Sequence, residues 1–220
     1  MSIAPIRHLV VLAHPRRDSF NHQIARTYCE AVRECGQEAH LRDLYADRFD
    51  PILDTIPEAP ELAVLYDLTE ARRCDALVFV YPIWFGLPPA MIKGYVDRIL
   101  GAGFKPSREH PRASSQFLNG RHMLSFTTSA STAAWLAEAG QTIALREAFD
   151  GYLEKIFALA GTRRVHIDAV VEDLNAAYAA EQLERVRQAA RSMCATLLSA
   201  AHRAERLADI PAPAGPAEAR

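Results

Sequence analysis

The chain alternates short apolar runs with longer segments of helical periodicity from end to end, and this alternation limits the fold more than any other feature. Strands are expected near residues 7–13, 39–43, 76–81, 121–127 and 164–170, and helices near 19–35, 60–73, 88–100, 132–159 and 180–207. The fourth helix should break at Gly140 or Gly151. Strands that read as unbroken hydrophobic stretches, such as Leu9-Val10-Val11-Leu12-Ala13, belong in a parallel sheet covered by helices on both faces. Five such strands suit an α/β three-layer sandwich with the order 2-1-3-4-5. In that order the loops beginning at His14, Pro82 and Thr128 meet where the winding of the sheet reverses, so one shared ligand site is expected there.

The 220 residues are 50% hydrophobic and 24% charged, enough for one full core. We expect a single domain over residues 1–208 and a disordered, proline-rich tail over 209–220. The formal charge of -2 provides no broad basic surface, which argues against nucleic acid as a partner. Cys29, Cys35, Cys74 and Cys194 show no C-x-x-C pairing and no metal-ligand spacing, and read as reduced thiols of a cytoplasmic protein. The first residues lack the basic and long apolar regions of a signal peptide, and no apolar run reaches about 18 residues, so neither secretion nor a membrane span is expected. The fingerprints G-x-G-x-x-G, G-x-x-x-x-G-K-[ST] and G-x-S-x-G are absent, which removes the mechanical core of Rossmann dehydrogenases, P-loop enzymes and α/β-hydrolases. No H-E-x-x-H or comparable cluster occurs, no metal is expected, and His166 reads as a hydrogen-bonded structural residue. A polar stretch over 101–119, with Lys105, Arg108, His110 and Arg112, is too long for a turn and reads as a cover for the site, an arm to a second subunit or a surface excursion.

Two loops carry the candidate chemistry. After strand three, Pro82-Ile83-Trp84-Phe85 is stiffened by Pro82, Pro88 and Pro89, which fix φ and lack an amide hydrogen. It is expected to offer backbone N–H groups of Ile83, Trp84 and Phe85 beside two aromatic rings, a platform for a flat ligand. After strand one, His14-Pro15-Arg16-Arg17-Asp18-Ser19-Phe20-Asn21 leads into a helix whose unpaired first N–H groups attract an anion such as phosphate. Asp18 or Ser19 can cap that helix, and His14, Arg16 and Arg17 add positive charge.

With Leu12-Ala13-His14-Pro15, Ser19-Phe20-Asn21, Asp43-Leu44-Tyr45-Ala46, Phe49-Asp50-Pro51-Ile52, the proline–aromatic loop and Lys93-Gly94 in order, the chain resembles the NAD(P)H:quinone oxidoreductases. That family includes DT-diaphorase and the bacterial modulator-of-drug-activity and potassium-efflux-ancillary quinone reductases. The likeness runs from about residue 7 to 171. It implies a flavodoxin-like fold, a homodimer, and a flavin that takes hydride from NAD(P)H and passes two electrons to a quinone by a ping-pong mechanism. His14, Ser19, Phe20 and Asn21 resemble the diphosphate-binding members, which favours FAD over FMN. The cofactor-binding set expected from the resemblance is His14, Asp18, Ser19, Phe20, Asn21, Pro82, Ile83, Trp84, Phe85, Thr127, Thr128, Ser129, Ala130 and Trp135.

The segment after strand four departs from the family. Ser129 and Ala130 stand where relatives carry a glycine pair, and Trp135 and Gln141 align with the tyrosine and histidine that face the flavin. Neither side chain can shuttle a proton. Trp135, Gln141 and Thr128 are therefore the expected catalytic residues, acting by hydrogen bonding rather than acid–base chemistry. An electron-carrier flavoprotein of the flavodoxin type, or a regulatory subunit of the same fold, are the other readings.

Overall fold

The computed structural model describes residues 4–54, 61–104 and 117–208. The chain runs β1 (Arg7–Leu12), α1 (Phe20–Glu34), β2 (Glu38–Asp43), α2 (Leu62–Arg73), β3 (Ala76–Pro82) and α3 (Ala90–Tyr95), which continues through a π-helical turn (Val96–Leu100) into α4 (Gly101–Gly103). After β4 (His122–Thr128) come α5 (Ala133–Glu138), α6 (Gln141–Leu145), a second π-helical turn (Arg146–Asp150) and α7 (Gly151–Phe157). β5 (Gly161–Ile167) and the long α8 (Ala176–Ala208) complete the chain. All strand pairs are parallel and the order is β2-β1-β3-β4-β5, the doubly wound arrangement expected from the alternation.

Period-two alternation sorts the strand residues into two cores. Val10, Leu12, Val78, Val80, Leu124 and Phe126 pack under α1 and α8, while Leu9, Val11, Leu77, Phe79 and Met123 face the side covered by α2, α3 and α7. β3 is buried along its whole length, as a central strand covered on both faces must be. α3 sits hard on the loop after β2: a Cβ on Gly94 would stand 2.3 Å from the Pro51 carbonyl oxygen, so no side chain fits there. That contact holds the last turn of α3 against the loop after β2.

Three boundaries differ from expectation. β5 occupies Gly161–Ile167 rather than 164–170, because an edge strand with one open side tolerates Thr162, Arg163 and Arg164. α8 begins at Ala176 rather than 180, where the Asn175 side chain accepts the N–H groups of Ala177 and Tyr178 at 2.9 and 3.1 Å. The long helical stretch over 132–159 breaks at Gly140, which is left-handed at φ 69°, and not at Gly151, which continues the helix with φ -68°. No helix among the described residues is long and apolar enough to cross a membrane. The expected tail over 209–220 and most of the 101–119 stretch, including Lys105, Arg108, His110 and Arg112, lie outside the described residues.

Candidate functional site

A cleft of about 640 Å³ opens at the carboxyl end of the sheet, walled by the loops after β1, β3 and β4 and by the connection from β5 to α8. The three loops expected to meet do meet. A second cleft, of about 540 Å³, lies at the opposite end of the sheet beside Arg7, Gln37 and Arg73, remote from those loops.

The β1 loop builds the anion end. Ser19 caps α1 with extended backbone (φ -66°, ψ 158°), and its side-chain oxygen accepts the His22 N–H at 3.4 Å. His14 Nδ1 stands 3.1 Å from the Arg16 amide nitrogen and 3.3 Å from the Arg16 carbonyl oxygen; in the tautomer that accepts the Arg16 N–H, Nε2 carries the ring's proton. Burial is the main cause that lowers the His14 pKa below the ordinary imidazole value; the Arg16 backbone and Asp18 oppose this, and the Arg16 charge adds to it. His14 is thus held as a neutral donor. Asp18 points away from a capping role: its carboxylate pairs with Arg16 at 3.5 Å, and that pairing holds its pKa down. Arg16 also reaches Glu172 of the β5–α8 connection at 3.1 Å, an exposed pair worth little to stability but spanning two walls of the cleft.

Asn21, on the first turn of α1, is 2% exposed. Its Nδ2 donates to Thr128 Oγ1 at 2.9 Å, whereas its Oδ1 has no partner among the described residues. Both residues line the cleft. A buried acceptor left unmatched costs about 1–3 kcal/mol, so its position at a cleft wall points to a donor supplied by a ligand. Thr128 Oγ1, in accepting from Asn21, keeps its own proton available.

The β3 loop closes on itself. Trp84 and Leu87 exchange backbone hydrogen bonds of 3.0 and 3.1 Å, with Phe85 and Gly86 at φ 50° and 80° between them. Two left-handed residues make a tight primed turn, which suits Gly86 and is strained at Phe85. The turn thrusts the Phe85 ring wholly into solvent, while Trp84 lines the cleft with its ring 6.3 Å from that of His14. This corrects the expectation of three free amides. The Ile83 N–H donates to the Thr128 carbonyl at 2.7 Å and that of Trp84 to Leu87, so of the three only the Phe85 amide is without a backbone partner among the described residues. Parallel pairing simply runs one residue past the end of β3.

Other expected residues lie off the cleft wall. The Thr127 hydroxyl is turned into the interior, 3.0 Å from His166 Nδ1, because neighbouring strand residues face opposite sides. Ser129 lines the cleft but is bound on all sides: its N–H donates to the Ile167 carbonyl at 3.2 Å, and its hydroxyl meets the Ser131 carbonyl at 2.7 Å and His166 Nε2 at 3.1 Å. His166 is thereby the hydrogen-bonded structural residue expected. Trp135 is 57% exposed and does not line the cleft, and neither does Gln141. The Gln141 amide instead donates to the Gly86 carbonyl at 3.3 Å, and its side chain fills the space where a Cβ on residue 86 would stand. It latches the aromatic turn. Pro82, Ile83, Ser19, Phe20, Ala130 and Asp18 are on the wall, as is a stretch that sequence reasoning missed: Val170, Val171, Glu172, Leu174 and Ala179.

The family profile described as a flavodoxin-like fold matches residues 6–195. NAD(P)H dehydrogenase (quinone) 1 of Cavia porcellus is 31% identical over 149 residues, 57% of this chain and 54% of that protein. An uncharacterized NAD(P)H oxidoreductase of Haemophilus influenzae is 32% identical over 130 residues, 56% of this chain and 64% of that one. The chain therefore spans little more than half the length of these relatives. Among solved structures, the NAD(P)H:quinone oxidoreductase of Methanothermobacter marburgensis superimposes with a TM-score of 0.75 at 22% identity, over 86% of this chain and 98% of that one. An FMN-dependent NADH-azoreductase of Bacillus anthracis, in complex with FMN, superimposes at 0.65 and 15% identity, over 86% and 99%. With the profile running through all five strands and into α8, the chain belongs to the flavodoxin-like fold family.

Proposed function

We propose that this protein is a flavin-dependent NAD(P)H oxidoreductase that passes two electrons to quinones or similar flat acceptors. The single observation that carries the reading is the buried Asn21 Oδ1 without a partner among the described residues, on the first turn of α1 in a cleft that Trp84 also lines. The cleft asks for a ligand with an anionic end, a hydrogen-bond donor in its middle and a flat ring. A flavin with its ribityl hydroxyls and phosphate answers all three, and the names of the relatives support nicotinamide and quinone as its substrates.

When bound, the flavin supplies a ring that accepts hydride from NAD(P)H and returns it to the acceptor. The first-turn N–H groups of α1, with His14 and Ser19, would hold its phosphates. Asn21 Oδ1 would accept a ribityl hydroxyl, and the free Thr128 proton would meet the polar edge of the ring. Trp84 would cover part of the ring face and keep water from it. We favour FAD over FMN because Val170, Val171, Leu174 and Ala179 add apolar lining to the cleft beyond the three loops, which suits an adenosine. The FMN complex of the azoreductase, at 15% identity, supports a flavin in general. Donor and acceptor would use the open side of the ring in turn. Exposed Trp84, Phe85, Leu87 and Trp135 suit cover by a second subunit, and we propose a homodimer.

The visible spectrum of the purified protein, identification of the flavin released on denaturation, and rapid mixing with NADPH test the reading. Bound FAD reduced within the enzyme's turnover time is expected. A protein that takes up neither FAD nor FMN would overturn it, and a flavin that NAD(P)H leaves oxidised would mean a one-electron carrier.

A further inference from the structure

Beneath the anion end of the cleft lies an array that the proposed function does not use. His22, 4% exposed, bridges two partners: its Nδ1 is 2.8 Å from Ser19 Oγ and its Nε2 is 2.9 Å from Asp43 Oδ2. We propose that His22 and Asp43 are positioning residues that set the direction of the Ser19 hydroxyl proton, so that binding of the cofactor's diphosphate takes up one proton at His22. The inference rests on the cleft being the flavin site. It has a second support besides the start of α1, the unpartnered and 2% exposed Asn21 Oδ1 at the same wall.

The proton positions follow from the partners. Asp43 Oδ1 accepts the N–H groups of Tyr45 and Ala46 at 3.2 and 3.1 Å, and Oδ2 accepts from His22, so Nε2 carries a proton. In the neutral imidazole Nδ1 is then a bare acceptor, and the one proton on Ser19 Oγ must go to it. The same oxygen already accepts the His22 backbone N–H. Ser19 consequently shows the cleft a lone pair, which repels a phosphate oxygen. A second proton on the imidazole reverses the bond. Nδ1–H donates to Ser19 Oγ, the hydroxyl proton turns to the cleft, and the imidazolium sits between the Asp43 carboxylate and the incoming anion.

Other charged groups near His22 do not substitute for this switch. The His14 ring stands edge-on at 6.4 Å, but it can donate from Nε2 in its neutral form and needs no extra proton. On the β2 side Arg42 is turned to Asp47 and Asp67. With Ser19 9% and His22 4% exposed, bulk water cannot readily supply the missing donor.

Calorimetric titration of the full-chain apoprotein with FAD, in two buffers of different ionisation enthalpy, tests the proposal. FAD is the right probe because its bridging diphosphate keeps its charge through the neutral range. Uptake of about one proton per FAD is expected where His22 is neutral in the apoprotein and protonated in the complex, with Kd rising about tenfold per pH unit there. His22→Gln and Ser19→Ala should bind more weakly and show no buffer dependence. Asp43→Asn should move the pH dependence to lower pH. His14→Gln should weaken binding yet keep the proton uptake. Equal heats in both buffers for the wild-type protein would overturn the proposal and leave the flavin site standing, as would uptake that vanishes in His14→Gln and persists in His22→Gln. Failure to bind FAD at all would overturn both.

Discussion

Replacing Asn21 by Leu separates a residue kept for the ligand from one kept for the fold. Leucine has the same branching at Cγ and little more volume, so the change removes polarity without opening a cavity. In the apoprotein two effects oppose one another. Loss of the 2.9 Å bond to Thr128 costs about 0.5–1.5 kcal/mol, and deletion of a desolvated, unmatched Oδ1 returns about 1–3 kcal/mol. The expected net change is within about 1 kcal/mol, or roughly 2–4 °C in Tm for a chain of this size. In the holoprotein both terms act in the same direction, since the ligand loses its acceptor and buries an unmatched hydroxyl. A loss of about 1.5–3 kcal/mol in flavin affinity should follow, close to a 10- to 100-fold rise in Kd. Thermal unfolding of the apoprotein and fluorescence titration with FAD measure the two quantities independently. An apoprotein that melts far lower while binding FAD as tightly as the wild type would refute the reasoning and make Asn21 a purely structural residue.

His14→Ala should weaken flavin binding by roughly 1–3 kcal/mol, the scale of a bond to a charged phosphate, and fluorescence titration reads it directly. With FAD saturating, the rate at which NADPH reduces the bound flavin should change little between about pH 6 and pH 8, as stopped-flow traces would show, and Trp135→Phe should leave that profile flat. The reason is that burial lowers the His14 pKa, which favours its neutral form, and His122 starts β4 at the far end of the sheet. A midpoint near that of free imidazole would place a titrating histidine at the ring. Stability should fall as pH drops below about 6.5: burial lowers the pKa of His8, so the unfolded chain takes up a proton that the fold refuses. Calorimetric Tm should be lower at pH 5 than at pH 7.5, and His8→Gln should shrink that difference while losing the bonds to Tyr28 and Gln37.

What the sequence made legible follows from how many constraints act on each residue. β1 and β3 are covered on both faces, so β3 and the Leu9–Leu12 part of β1 read as unbroken apolar runs and announce their strands directly. β5 is an edge whose apolar residues are confined to Val165 and Ile167 at its end, and its first residues, Gly161 to Arg164, carry no apolar mark. Gly140 and Gly151 look alike as letters, yet only Gly140 takes the left-handed backbone that a break requires. At the site, His14, Ser19 and Asn21 could be read because a short loop feeding a helix leaves side chains few places to go. The adjacent pair Thr127 and Thr128 could not be divided, since the choice of face depends on strand register. Val170 to Leu174 line the cleft through position alone, with no chemistry to announce them. Which loop amides are already bonded is a matter of pairing between distant strands, invisible in a local reading.

The departures at positions 129 and 141 form one argument about where the site's polarity comes from. A serine is tolerated where the family resemblance calls for glycine because its hydroxyl is drawn toward His166 and the Ser131 carbonyl. That arrangement uses the Ser129 amide as well, leaving Thr128 Oγ and the Ala130 backbone to face the cleft. Gln141 is engaged with Gly86 and so acts on the turn that carries Trp84. These positions supply a latch and fixed dipoles rather than groups that titrate. Charge developing on the proposed cofactor would have to be met by donors already in place, whose orientation costs nothing at the moment of transfer. Such a site depends on the rigidity of its loops more than on pH. For that reason Gln141→Ala should change the behaviour of the platform, read as a rise in KM for the quinone, before it changes the hold on the flavin itself.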